Sequence, residues 1–250
     1  MTGSEVALKD QYFADKRDFF KWDLLEDLVA LPEGRCALCY VAMLTQPDGT
    51  REGVFKRYDA GARRGELHSF LRSCASSGRR EVKEMRKYFA SRGIEYRPIG
   101  DTSDQYYSHA TREAYFRRIP DSSLEEAVVF FDPDIGLNAG SGSYKRRVGI
   151  DKYLFDEDLR GCSPRIGGSS VVVVYQHLQR DRSRFWDDIE DRCLRVCSAV
   201  GASGASFVTD RDVAFLVTAK DSVTRLTAAR TIVEHAHKHG LDSGELVHRR

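Results

Sequence analysis

Two carboxylates and an imidazole stand where two apolar runs stop. Residues 127–131 (AVVFF) lead without a polar break into Asp132-Pro133-Asp134, and residues 170–175 (SVVVVY) lead into Gln176-His177. Carboxylates orient amines or hold divalent cations, and a histidine serves as general acid or base near neutral pH. Asp132, Asp134, Gln176 and His177 are therefore the candidate catalytic residues. One chemistry needs no organic cofactor: Asp132, Asp134 and His177 as ligands of Mg²⁺ or Mn²⁺, supporting phosphodiester or phosphate hydrolysis, with Glu157 or Lys145 joining from the following segment. The plainer alternative is that either aspartate caps the next turn through backbone N–H groups and that His177 packs at a strand end.

The elements that must position these residues follow from patterning. A short apolar run without alternation fits a strand covered on both faces, as in a parallel sheet wrapped by helices. Pro133 has no amide hydrogen for a ladder and marks where the strand stops. Both runs then deliver polar residues to the carboxyl edge of a sheet, which is where open α/β sheets take their ligands. Residues 12–31 predict an amphipathic helix on the spacing of Phe13, Phe20, Leu24, Leu28 and Leu31, stopped by Pro32 and Gly34. Residues 36–44 predict the first buried strand, and 46–53 a turn around Asp48-Gly49. Helical stretches at 65–77 and 79–92 precede a short strand at 94–99, then Gly100-Asp101. Residues 108–118 predict a helix with Ser108 as its N-cap.

Beyond the central strand, residues 138–149 make a Gly/Ser-rich basic loop, and a short helix is expected around 151–160. Residues 183–200 predict a helix, 205–219 two strands about a turn at 209–212, and 222–239 the last helix. Residues 1–11 read as a polar tail and 12–250 as one domain, with no internal repeat. The alternation predicts an α/β fold: a mostly parallel sheet flanked by helices, with a C-terminal antiparallel hairpin.

A hydrophobic content of 41% with 31% charged residues describes a globular chain, and a net charge of +1 supplies no global field for nucleic acid or membrane. Local clusters at Arg63-Arg64, Arg79-Arg80, Arg117-Arg118 and Lys145-Arg146-Arg147 are either contacts for RNA or DNA or solvated helix ends. With no eighteen-residue apolar run and no apolar stretch after Met1, the expectation is a cytoplasmic protein with no membrane partner. Six cysteines in a chain of this size do not make a disulfide framework. Cys36 and Cys39 face opposite sides of a strand, which argues against a zinc site, and Cys193 and Cys197 belong to the core. His235 and His239 share a helical face, where contact with the helix dipole accounts for them. Tyr106, Tyr107, Arg112, Tyr115 and Phe116 mix aromatic and basic character, suiting either a nucleotide or, for Tyr115 and Phe116, the core. The sequence leaves the oligomeric state open.

The order of elements resembles the class I S-adenosylmethionine-dependent methyltransferase fold, a Rossmann-like sheet whose last two strands form a hairpin. Within that fold the chain is similar to the 23S ribosomal RNA adenine-N6 methyltransferases and similar amino-group methyltransferases. Asp18-Phe19-Phe20-Lys21-Trp22 matches their D-x-x-K-aromatic signature on an N-terminal helix. Asp132-Pro133-Asp134-Ile135 stands in the place of D-P-P-Y, and Asp101 in that of an acidic residue after the preceding strand. The resemblance implies S-adenosylmethionine lined by Asp18, Lys21, Asp48 and Asp101, with Asp132 orienting an amine of nucleic acid or of a nucleotide-like substrate. Such catalysis rests mainly on positioning.

The chain departs from the pattern at three places. Residues 45–49 contain no G-x-G, Asp134 replaces the second proline, and Ile135 replaces the aromatic residue. Stacking on that aromatic would be worth about 1–3 kcal/mol per base. A catalytically inactive binding protein that keeps the fold is therefore a third expectation, and Asp18 and Lys21 taken alone are a helix ion pair worth tenths of a kcal/mol.

Overall fold

Runs of β-branched and aromatic residues become strands here because both of their faces are covered. The computed structural model describes residues 13–31, 37–44, 64–101, 107–138, 150–178 and 182–247. The strands are β1 (Ala37–Ala42), β2 (Tyr96–Ile99), β3 (Ala127–Asp132), β4 (Gly136–Leu137), β5 (Tyr153–Leu154), β6 (Val171–His177), β7 (Gly204–Thr209), β8 (Val213–Ala219) and β9 (Asp242–Val247). Four of them run parallel in the order β2-β1-β3-β6, with Tyr40 opposite Phe130, Ala42 opposite Asp132 and Phe131 opposite Val174. β8 lies antiparallel to β6, β7 to β8, and β9 to β7. β4 and β5 form a separate short parallel ladder.

The helices are α1 (Lys16–Val29), α2 (Gly65–Ser76), α3 (Met85–Ser91), α4 (Arg112–Arg117), α5 (Asp156–Cys162), α6 (Phe185–Val200) and α7 (Ser222–His239). They cover the sheet from both sides. Leu24, Leu28, Leu71, Phe89 and Ile232 pack on Tyr40, Phe130 and Val173, whereas Tyr115, Leu159, Ile189 and Cys193 pack on Val129, Phe131 and Val172. Strand alternation therefore aims Asp132, which continues the series Val128 and Phe130, toward the α1 layer.

The architecture is α/β, as the alternation predicts, with a parallel set of strands extended by antiparallel ones. The expected pairing of β7 and β8 is present, but it does not end the sheet. β9 forms the edge, and its sequence DSGELV is polar and half-exposed, so no apolar periodicity announced it. Asp15 caps α1 by accepting from the amides of Arg17 at 2.7 Å and Asp18 at 3.0 Å, which starts that helix four residues later than its apolar spacing suggests. Residues 82–84, 109–111 and 150–152 are short 3₁₀ turns where longer helices are expected. Ser108 does accept from the Thr111 amide, at 3.3 Å. Cys193 and Cys197 lie in the core. The tail at 1–11, Cys36, the turn at Asp48 and the basic loop with Lys145 lie outside the described residues. No helix among the described residues is long and apolar enough to cross a membrane.

Candidate functional site

β1 has β2 on one side and β3 on the other, so the carboxyl ends of β1 and β3 flank the crevice where the strand order reverses. Asp132 closes β3 at that crevice. Its Oδ2 accepts hydrogen bonds from the Tyr40 hydroxyl at 2.6 Å and from the Lys21 ammonium at 3.0 Å. Lys21 Nζ also lies 2.6 Å from Asp18 Oδ1, and Asp18 Oδ2 accepts from the Ala14 amide at 2.9 Å. Asp18, Lys21, Tyr40 and Asp132 are all buried, so the spacing of D-x-x-K produces a desolvated chain of charges and not a surface pair. The ammonium also sits 4.9 Å from the centre of the Trp22 ring, a cation–π contact. Ala14, buried and at φ +67°, is held in the left-handed region by the bond to Asp18.

Burial lifts the Asp18 carboxyl from its ordinary 3.8 to about 6, against the pull of the neighbouring Lys21 ammonium. Burial also works against the charge on Lys21, but the carboxylates of Asp132 and Asp18 outweigh it and raise the ammonium above its ordinary value. Burial, and then the Asp132 carboxylate, push the Tyr40 hydroxyl well above its usual range, which keeps it a donor. One ammonium thus serves two carboxylates.

Tyr175 and His177 share the α1-facing side of β6, as Asp132 does on the neighbouring strand. Arg17, one turn before Lys21, places Nη1 3.0 Å from His177 Nε2. A guanidinium can only donate, so Nε2 supplies the lone pair. α1 therefore reaches both strand tips and brings Asp132 and His177 to the same edge.

Gln176 faces the opposite side. Its Nε2 donates to the His177 carbonyl at 2.6 Å, and its Oε1 accepts from the Leu137 amide at 2.8 Å. Gly136, at φ +125°, passes so close that a Cβ would lie 2.4 Å from Oε1. Gln176 thus anchors the segment after Asp134 and is not part of the Asp132 cluster. Asp134 is half-buried and pairs with Lys152 at 3.3 Å. Asp132, Asp134 and His177 are each engaged by a cationic side chain, Lys21, Lys152 and Arg17 respectively. Glu157 is exposed and lines a groove of about 690 Å³ between α4 and α5, on the other face of the sheet.

Asp101 follows β2 and is buried, with both oxygens accepting from Arg86 at 2.9 and 2.8 Å. Gly100, at φ +71°, lies beneath the Tyr115 hydroxyl, which donates to the Ala42 carbonyl at 2.5 Å. That places an acidic acceptor at the strand tip beside β1, and the Arg86 side chain that covers it is 53% exposed. Asp18 and Lys21 turn to Asp132 instead. Residues 45–49, which contain no G-x-G, lie outside the described residues.

Arg64, Arg79 and Arg117, members of the basic pairs, have acidic partners: Asp23, Glu84 and Glu113. Tyr107, Tyr115 and Phe116 are buried, and Arg112 pairs with Asp158 while donating to the Tyr153 carbonyl at 2.9 Å. Two residues of the cluster carried no motif: Arg17 and Tyr40. The second left a trace, because a tyrosine within an apolar strand needs a partner for its hydroxyl. Comparison with family models, with curated proteins and with solved structures gives no match.

Proposed function

We propose that this chain is an S-adenosylmethionine-dependent methyltransferase-like protein that takes an amine of nucleic acid or of a nucleotide-like ligand at the carboxyl edge between β1 and β3. The reading is carried by one contact. The two stretches that resemble amino-group methyltransferases, Asp18 to Trp22 and Asp132 to Ile135, meet in the bond between Lys21 Nζ and Asp132 Oδ2. Asp132 is the acceptor for the target amine, Lys21 and Tyr40 hold its carboxylate in place, and Asp101 receives nucleoside hydroxyls once Arg86 swings out. S-adenosylmethionine would supply the methyl group, and α1 keeps water from the acceptor. Calorimetry with S-adenosylmethionine tests this: a saturable isotherm supports it, and no heat at high micromolar ligand overturns it.

A second reading is favoured by the saturation of Asp132 Oδ2, which already holds an ammonium and a hydroxyl. A binding protein that keeps the fold without methyl transfer needs nothing further from Asp132. Binding of adenosine or adenine nucleotides with no response to S-adenosylmethionine would select it.

A further inference from the structure

α1 and α7 pack side by side on the same face of the sheet, and each carries two candidate ligands one turn apart: Asp23 and Asp27 on α1, His235 and His239 on α7. The histidines are not turned to solvent at a helix end. Their side chains are 0% and 3% exposed, and that of Asp23 is 1% exposed. One ligand atom from each of Asp23, His235 and His239 falls within 4.8 Å of the other two, the only such group of His, Cys, Asp or Glu among the described residues.

The far side of each ligand is already fixed. His235 Nδ1 lies 2.8 Å from Asp27 Oδ2, so the ring donates there and leaves the Nε2 lone pair pointing inward. That is the carboxylate–histidine arrangement that orients metal ligands. Asp23 accepts from Arg64 Nε at 2.8 Å through Oδ1, which leaves Oδ2 aimed at the histidines. Phe20 stacks on His235 with ring centres 6.0 Å apart, and the two imidazoles are 4.4 Å apart.

Among the described residues, two atoms of this cluster, Asp23 Oδ2 and His235 Nε2, are left without a hydrogen-bond partner. Asp23 Oδ2 does lie 3.2 Å from His239 Nε2, an ion-pair distance. A buried polar atom left this way is costly unless a further group satisfies it. On this side of α1, Asp23, Glu26 and Asp27 all pair with Arg64, and Glu26 also with Arg92.

We propose that Asp23 Oδ2, His235 Nε2 and His239 Nε2 form a binding site for a divalent transition metal of the zinc class. Two imidazoles and one carboxylate are a donor set suited to Zn²⁺, at about 2.0–2.2 Å from the ion, with a fourth position left for water. Tetrahedral donors stand about 3.3 Å apart, so small side-chain rotations close the site. Asp27 orients His235 and does not touch the metal. The site is separate from the Asp132 cluster, and its fate does not depend on methyl transfer.

The test uses the full chain without an affinity tag, stripped with chelator and dialysed. Titration with Zn²⁺ should show one site per chain, and Co²⁺ should give the visible absorption of a low-coordinate nitrogen and oxygen site. Asp23→Asn and His239→Ala should each weaken Zn²⁺ by more than the about 10–100-fold that loss of an outer partner costs, with His237→Ala, an exposed neighbour, unchanged. Asp27→Asn, which keeps all three ligands, should weaken it by about 10–100-fold and serves should the first variants not fold. Substoichiometric binding by the wild type, or equal affinity in the wild type and in the folded ligand or Asp27→Asn variants, would overturn the site.

Discussion

Lys21 Nζ lies 3.0 Å from Asp132 Oδ2, fastening the first helix to the tip of a strand 111 residues further along the chain. Both side chains are buried, and removing one partner of such a pair costs about 3–5 kcal/mol because the other charge is left without compensation. Lys21→Met should lose stability on that scale in guanidinium denaturation. The double variant Lys21→Met/Asp132→Asn should recover part of the loss. A cost for Lys21→Met below about 1 kcal/mol, the range of an exposed pair, would show that water reaches the contact.

On the proposed methyltransferase reading, Asp132→Ala should abolish methyl transfer while leaving a folded circular dichroism spectrum. Full turnover in this variant would remove Asp132 from any role with the amine.

Asp18 contributes a pH dependence of definite sign. Its carboxyl is raised by burial from 3.8 to about 6 in the folded chain. Between those values the folded state binds more protons than the unfolded state, so this contribution is largest at low pH and falls as pH rises from about 4 to about 6. Asp158 is shifted the same way, to about 6, by its own burial. Denaturation at a series of pH values should show a shallower decline for Asp18→Asn than for the wild type, with the Asp158 part remaining. Superimposable slopes would mean that Asp18 titrates as a free aspartate.

Arg86→Ala should open Asp101 at a cost in stability. The Arg86 side chain is 53% exposed, but that of Asp101 is only 2% exposed and loses the donor to both of its oxygens. A loss above the about 1 kcal/mol of an exposed pair is therefore expected. On the proposed reading, affinity for S-adenosylmethionine, measured by calorimetry, should rise. An unchanged affinity would place the nucleoside elsewhere.

Gly136→Ala would put a Cβ against Gln176 in a left-handed backbone at φ +125°. The expected cost is about 1–3 kcal/mol, concentrated in the segment after Asp134. Faster hydrogen exchange at the Leu137 amide, which Gln176 Oε1 now accepts, is the readout.

Much of the frame was legible because single stretches decide it. The runs at 127–131 and 170–175 fit covered strands, and α7 was legible to its ends because Asp221 caps it, accepting from the Thr224 amide at 2.7 Å, and Gly240 stops it. β9 was not, since an edge strand needs no apolar alternation. At the site, the shared edge of Asp132 and His177 followed from two strand tips. The division between His177 and Gln176 did not, because it depends on which face the neighbouring strand presents. Nor does any local pattern give Lys21 its partner: that contact exists only once α1 has docked. The histidines at 235 and 239 looked like dipole contacts for the same reason, since their meaning lies in the matching pair on another helix.

Lys21 and Asp23 are two residues apart, which on an α-helix is about 200° around the axis. One serves the strand tips and the other the imidazoles of α7. α1 is therefore an axle gripped on opposite sides, so a substitution that loosens one grip should be looked for at the other as well.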